Sequence, residues 1–142
     1  MSPGFGLLEI LAALTVLAIS MLALTNGLLN AQQHSVESSW LTQASLQAEN
    51  IYERMLSNNI GRQQGDYYQT PGSTPSCQVC SPHEQAAKDL TQWQQQLQKF
   101  IPESEQSILP FSQGQEININ WLSPLRTESE KRSEWITYVG SQ

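Results

Sequence analysis

Apolar residues run almost unbroken from Phe5 to Leu24, a stretch of 20 positions in which Glu9 is the only charge. At about 1.5 Å of rise per residue, a helix of this length crosses the hydrocarbon core of a bilayer. Thr15 and Ser20 suit that setting, because each hydroxyl can bond back to a carbonyl one turn earlier. Asn26-Gly27 is a weak point, costing about 1 kcal/mol in a helix interior. Beyond it a second helical pattern begins, with Leu41, Ala44, Ala48, Ile51 and Met55 at steps of 3, 4, 3 and 4. That spacing gathers one apolar stripe on one face and leaves Gln43, Gln47, Glu49 and Glu53 elsewhere. The pattern predicts one long helix from Phe5 to about Asn58. Residues 5–29 form its transmembrane part, residues 30–58 its amphipathic continuation, and residues 59–142 a head.

Within that head, Asn58-Asn59-Ile60-Gly61 ends the helix with residues suited to a left-handed cap. Residues 62–76 read as a loop, with Gly65-Asp66 and then Thr70-Pro71-Gly72-Ser73-Thr74-Pro75. Tyr67 and Tyr68 are its candidate anchors. Ser81-Pro82-His83-Glu84 is a capping box with proline at the first helical position. Ala86, Leu90, Trp93, Leu97 and Phe100 then repeat at helical spacing as candidate core, and Pro102 ends the helix at residue 101. From residue 107 to 139 the pattern changes to period two. Ile117, Ile119 and Trp121 share one face of a strand, Trp135 to Val139 form a second, and Ser107-Ile108-Leu109 belong to a third. Thr127 to Ser133 read as the connecting loop. The fold class is therefore α+β: a long N-terminal helical spine, one further helix and a short antiparallel sheet.

Composition narrows the chemistry. A net charge of −6 argues against a nucleic-acid-binding surface. Roughly 110 residues outside the leader and span are enough for one small domain with a thin core. No Ser/His/Asp set, carboxylate pair or phosphate loop offers catalysis, so no enzyme activity, cofactor or metal is expected. His34 and His83 read as polar surface residues. Cys77-Gln78-Val79-Cys80 has the spacing of a redox pair, of half a zinc site or of a small bridge. A redox pair wants a preceding strand, and zinc wants about four ligands where His83 is the nearby histidine. In an exported domain the two cysteines should pair.

Glu9 is the residue that asks most for an explanation. A charge in a membrane-grade segment costs on the order of 3 kcal/mol at a helix centre and is a functional candidate by default. A secretory signal peptide wants a basic n-region, yet no Lys or Arg precedes Arg54. Cleavage after the apolar run is poorly marked, Leu29-Asn30-Ala31 being the best site. In contrast, Glu9 stands five residues after Gly4, which has only Met1-Ser2-Pro3 before it. This start resembles the type IV prepilin superfamily. The resemblance implies a leader of residues 1–4, cleavage of the Gly4-Phe5 bond by a prepilin peptidase, methylation of the new Phe5 amine, and assembly guided by Glu9. It departs from the family pattern in lacking Lys or Arg just before the glycine.

Later segments narrow the likeness. Glu53 to Asn58, Cys80-Ser81-Pro82, Ala86-Ala87, Asp89-Leu90, Trp93, Phe100-Ile101-Pro102 and a strand ending in Trp121 are similar in order and spacing to PilV-type minor pilins. The resemblance implies a minor pilin that joins or primes a bacterial type IV pilus. Its partners would be other minor pilins, the major pilin, the prepilin peptidase and the inner-membrane assembly platform. It would first be a single-pass inner-membrane protein with a periplasmic head, then part of the pilus at the cell surface. A type II secretion pseudopilin shares the same N-terminus and is the alternative. A membrane-anchored periplasmic thiol oxidoreductase using Cys77 and Cys80 is the rival from another class.

Overall fold

The computed structural model describes residues 6–70, 72, 75–112, 114–123 and 132–140. Gly4 and Phe5 lie outside these residues, as do residues 127–131 of the expected connecting loop. The chain divides into two compact units, one ending at Val36 and the other beginning at Glu37.

Helix α1 spans Leu7–Ser57 and passes through Asn26 and Gly27 without a break. In the first unit every described side chain is exposed. No apolar face is sorted from a polar one there, as expected of a segment that meets apolar surroundings on all sides. The hydroxyls behave as the sequence predicts. Thr15 Oγ1 donates to the Ala12 carbonyl at 2.8 Å and Ser20 Oγ to the Val16 carbonyl at 2.8 Å. The helix is long and apolar enough to cross a membrane.

In the second unit the stripe Ala44, Ala48, Ile51 and Met55 is buried as expected. Leu41 is not: it stays 43% exposed, and half-buried Trp40, one turn before Ala44, packs against the core instead. The expected left-handed cap at Asn58 to Gly61 is also displaced. Asn58 adopts φ −105° and ψ 59°, and its side chain accepts from the Gly61 amide at 3.3 Å to start a new helix, α2 (Asn59–Gln64). The left-handed residue is Gly65, at φ 78°, which closes α2. Gly61 has another task. A Cβ there would stand 2.6 Å from Asn58 Nδ2 and 3.0 Å from the Pro82 carbonyl, so its smallness lets α2 approach the start of the next helix. A 3-10 turn over Asp66–Tyr68 follows, so the segment read as an open loop is largely helical up to Tyr68. Tyr67 is its anchor, buried to 1% exposure, whereas Tyr68 is exposed.

Helix α3 (Pro82–Phe100) starts at the capping box read from the sequence. Ala86, Leu90, Trp93 and Leu97 are buried, but Phe100 is 45% exposed and Ile101 is fully buried in its place. Ile101 has left helical geometry, at φ −126° and ψ 95°, and so points off the helical period.

The sheet has strand order β1 (Glu105–Phe111), β2 (Gly114–Leu122) and β3 (Arg132–Gly140), both pairs antiparallel. Arg132 and Ser133, expected in the connecting loop, open β3 opposite Leu122 and Trp121 instead. Ile117, Ile119 and Trp121 face inward with no exposure, as their alternation predicts. They join Ile51, Met55, Tyr67, Trp93, Leu97 and Ile101 in one core, each contributing about 1.5–3 kcal/mol by burial. The α+β layout is therefore the one expected, with α2 and the 3-10 turn added.

Denaturant unfolding of the full chain in mild detergent should separate the two kinds of apolar position. Ile119→Ala is expected to cost about 2–5 kcal/mol, as a cavity in a closed core does. Phe100→Ala is expected to cost less than about 1 kcal/mol.

Candidate functional site

Glu9 stands in the first turn of α1, where its amide donates to the Gly6 carbonyl at 2.9 Å. Its side chain is exposed among Ile10, Ala13, Leu14 and Leu17. A carboxylate near a helix N-terminus is favoured by the positive end of the macrodipole. Its surroundings are otherwise apolar side chains free to pack on something outside the chain. Among the described residues, the side chains that line this spot beside Glu9 are therefore all apolar.

In the second unit another glutamate does a different job. Glu37 begins the inward stripe of α1, a turn before Trp40. Its carboxylate accepts from Ser133 Oγ at 2.6 Å, Ser123 Oγ at 3.0 Å and Trp121 Nε1 at 3.4 Å. It thereby holds the facing ends of β2 and β3 to α1. The sequence reading missed Glu37, because its partners lie 84 to 96 residues away. The available signal was the stripe itself: continued one turn back from Ala44 and Trp40, it reaches Glu37.

Asp89, 4% exposed on α3, is the polar centre of the head. Its Oδ2 accepts from the Tyr67 hydroxyl at 2.8 Å and its Oδ1 from Gln85 Nε2 at 2.9 Å, with Arg54 Nη1 of α1 at 3.5 Å. Arg54 also donates to Gln92 at 2.8 Å and to Asn50 at 2.9 Å. Burial first, and then the hydrogen bond to Asp89, push the Tyr67 phenol well above its usual value. A cleft of about 260 Å³ lies over Arg54, Ser57, Asn58, Gln85 and Asp89. Meeting at Asp89, the side chains of Arg54, Gln85 and Tyr67 form a structural tie between α1, α3 and the 3-10 turn.

Cys77 and Cys80 are joined in a disulfide, with Cα atoms 5.2 Å apart. The bond lies directly before α3, and the element described before it is a 3-10 turn, where a thioredoxin-like pair would follow a strand. His83 is a surface residue as expected, but a partnered one: its Nδ1 lies 3.0 Å from Asp66 Oδ1. Next to it, the backbone amide and the hydroxyl of Ser81 each donate to Glu84 Oε2 at 2.8 Å. These bonds hold the Glu84 carboxyl below the usual carboxylate range. Glu9 and the cysteines thus belong to different units, and the cleavage residues Gly4 and Phe5 lie outside the described chain.

Two pH effects follow. Tyr67 has a raised folded value, so its contribution is fully present below the ordinary phenol value of about 10 and is lost as pH climbs beyond it. Tyr67→Phe should abolish that alkaline loss while costing about 1–2 kcal/mol at neutral pH. Glu84 has a lowered folded value, so its contribution is present above about pH 4.3 and is lost as pH falls through the folded value. Glu84→Gln, which keeps the cap geometry, should flatten the acid limb. Unfolding curves taken across pH measure both.

No family model, curated protein or solved structure matches the chain.

Proposed function

We propose that the chain is a minor pilin of a bacterial type IV pilus. In this reading it is made as a single-pass inner-membrane precursor with its head in the periplasm. A prepilin peptidase cuts Gly4-Phe5 and methylates the new amine, and the subunit passes to the pilus and cell surface. The observation that carries the reading is Glu9, the one charge in the first-unit stretch of α1, from Leu7 to Val36, whose apolar side chains are all unburied.

The surroundings of that first-unit stretch decide where it is stable. Apolar on every side, it is stable in lipid and equally stable packed among helices of the same kind. Moving from lipid into a helical bundle leaves the Glu9 carboxylate in need of a partner, since an unpaired buried charge is costly. The free α-amino group of a neighbouring processed subunit supplies one, because with an ordinary value near 8 it is cationic at neutral pH. Glu9 would then select a position along the filament axis as well as add affinity. The partners are other minor pilins, the major pilin and the assembly platform. The head, with its own tied core, is the part left to make subunit-specific contacts.

Co-expression of the full chain with a prepilin peptidase, followed by mass spectrometry of the N-terminus, tests the processing step. A chain starting at Phe5, with or without a methyl group, is expected; an intact Met1 or a cut near Ala31 overturns the reading. Glu9→Val is expected to insert in the membrane normally yet fail to co-assemble with partner pilins in cross-linking assays. Deleting the protein should abolish surface pili and twitching; loss of exoprotein secretion instead would assign it to a type II secretion system.

A further inference from the structure

The sheet has a second face, turned away from the core, and its two ends differ in character. Pairing register places Glu105, Asn120, Glu134 and Arg132 at one end, and Leu109, Phe111, Glu116 and Tyr138 at the other, with Ile136 opposite Asn118. At the first end the charges satisfy one another. Arg132 Nη2 lies 2.8 Å from Glu105 Oε2 and Arg132 Nε donates to Asn120 at 2.8 Å, while Asn118 donates to Glu134.

At the other end this does not happen. Leu109, Glu116 and Tyr138 form one row across the three strands, so Glu116 sits between two apolar neighbours. In the next row β2 has only Gly114, and the Phe111 and Tyr138 rings meet there, 4.8 Å apart and tilted by 47°. Leu109, Phe111, Ile136 and Tyr138 are 49%, 53%, 39% and 58% exposed. Glu116 makes no hydrogen bond or ion pair among the described residues. A carboxylate ringed by exposed apolar and aromatic groups is matched by a cation with apolar flanks. The carboxylate offers charge, the ring faces offer cation–π attraction, and the aliphatic groups cover the stem of the side chain.

We propose that this face, centred on Glu116, docks a segment of another protein that presents an Arg or Lys side chain between apolar residues. The proposal does not rest on the pilin reading. Charge complementarity chooses this occupant over a second copy, since two such faces brought together would set Glu116 against Glu116. An anionic lipid surface is disfavoured for the same reason, on a chain whose net charge is −6. Size agrees as well. Four large side chains about half exposed offer roughly 400 Å². That is the area of an anchor pocket and smaller than the roughly 800 Å² each partner buries in a whole standard interface. The internally paired polar end of the sheet then serves as part of the rim.

The test uses the full chain in phosphatidylcholine nanodiscs and the capped peptide Leu-Val-Arg-Val-Leu, with a citrulline counterpart that removes only the charge. Binding is read from chemical-shift changes at Tyr138 and Phe111. The arginine peptide is expected to bind about tenfold more tightly than the citrulline peptide. That advantage should vanish in Glu116→Gln and shrink at high salt. Glu116→Lys should move the preference to Leu-Val-Glu-Val-Leu, a gain that mere misfolding cannot produce. Equal binding of the two peptides, an advantage that survives Glu116→Gln, or no saturable shift with any peptide overturns the proposal. So does dimerisation of the chain through a photoreactive group at position 138, or a shift of the same signals by phosphatidylglycerol discs alone.

Discussion

An apolar helix with nothing of its own to pack against sets the terms for the rest of this molecule. Between Leu7 and Leu29, thirteen large apolar side chains are exposed. Burial is worth roughly 1.5–3 kcal/mol for each, which together exceeds the roughly 5–15 kcal/mol that keeps an ordinary domain folded. What surrounds the helix therefore weighs more than any single feature inside the head. A membrane satisfies this demand, and so does a bundle of similar helices. The difference between those environments is felt chiefly at Glu9, because every other side chain in the segment is indifferent to it. A single carboxylate can thus direct a choice that the bulk of the segment leaves open.

The head answers a different demand. It must build a core from few residues, and it does so with three elements that would slide on apolar contacts alone. Asp89 fixes them: Arg54 from α1 and Tyr67 from the 3-10 turn both address it, and Gln85 completes its shell. Buried polar groups of this kind add little net stability when satisfied and cost heavily when one partner is lost. Their effect is on register, since only one placement of α3 against α1 satisfies them all. Gly61 permits the same placement from the other side, by letting α2 come up to Pro82.

What could be read in the sequence follows the range of the interactions. The start of α3 was legible, because Ser81 and Glu84 satisfy each other three residues apart. The inward face of β2 was legible because alternation is a property of one strand. Phe100 and Leu41 were misjudged for a common reason: periodicity identifies a stripe but not its margins. Phe100 keeps the period yet the helix stops there, and the next residue, Ile101, turns inward. Trp40 and Leu41 both flank Ala44 on α1, and only the position of the neighbouring elements decides between them. The cap was misplaced because two glycines, Gly61 and Gly65, compete as candidates. Gly61 is demanded by close approach and Gly65 by a positive φ, a distinction that local pattern does not carry. Glu37 and Asp89 were invisible as centres, since a charge on a helix reads as solvated until its distant partners are placed.

The span of Glu37's bonds has a consequence for how the protein is made. Ser133 lies 96 residues further along the chain. At about 5–20 residues per second, the ribosome delivers it roughly 5–20 s after Glu37 has emerged. Until then Glu37 has no Ser133 to accept from, β3 does not exist, and the inward side of β2 has no neighbour on that edge. The cap of α3, by contrast, closes within four residues of chain. The local bonds of the α3 cap are therefore available early, and the bond from Ser133 to Glu37 only once β3 has been made. A chain cut short anywhere before β3 leaves that bond unmade. Closing the head at Glu37 thus depends on β3, so a tie between residues 96 positions apart makes the two ends of the second unit depend on each other.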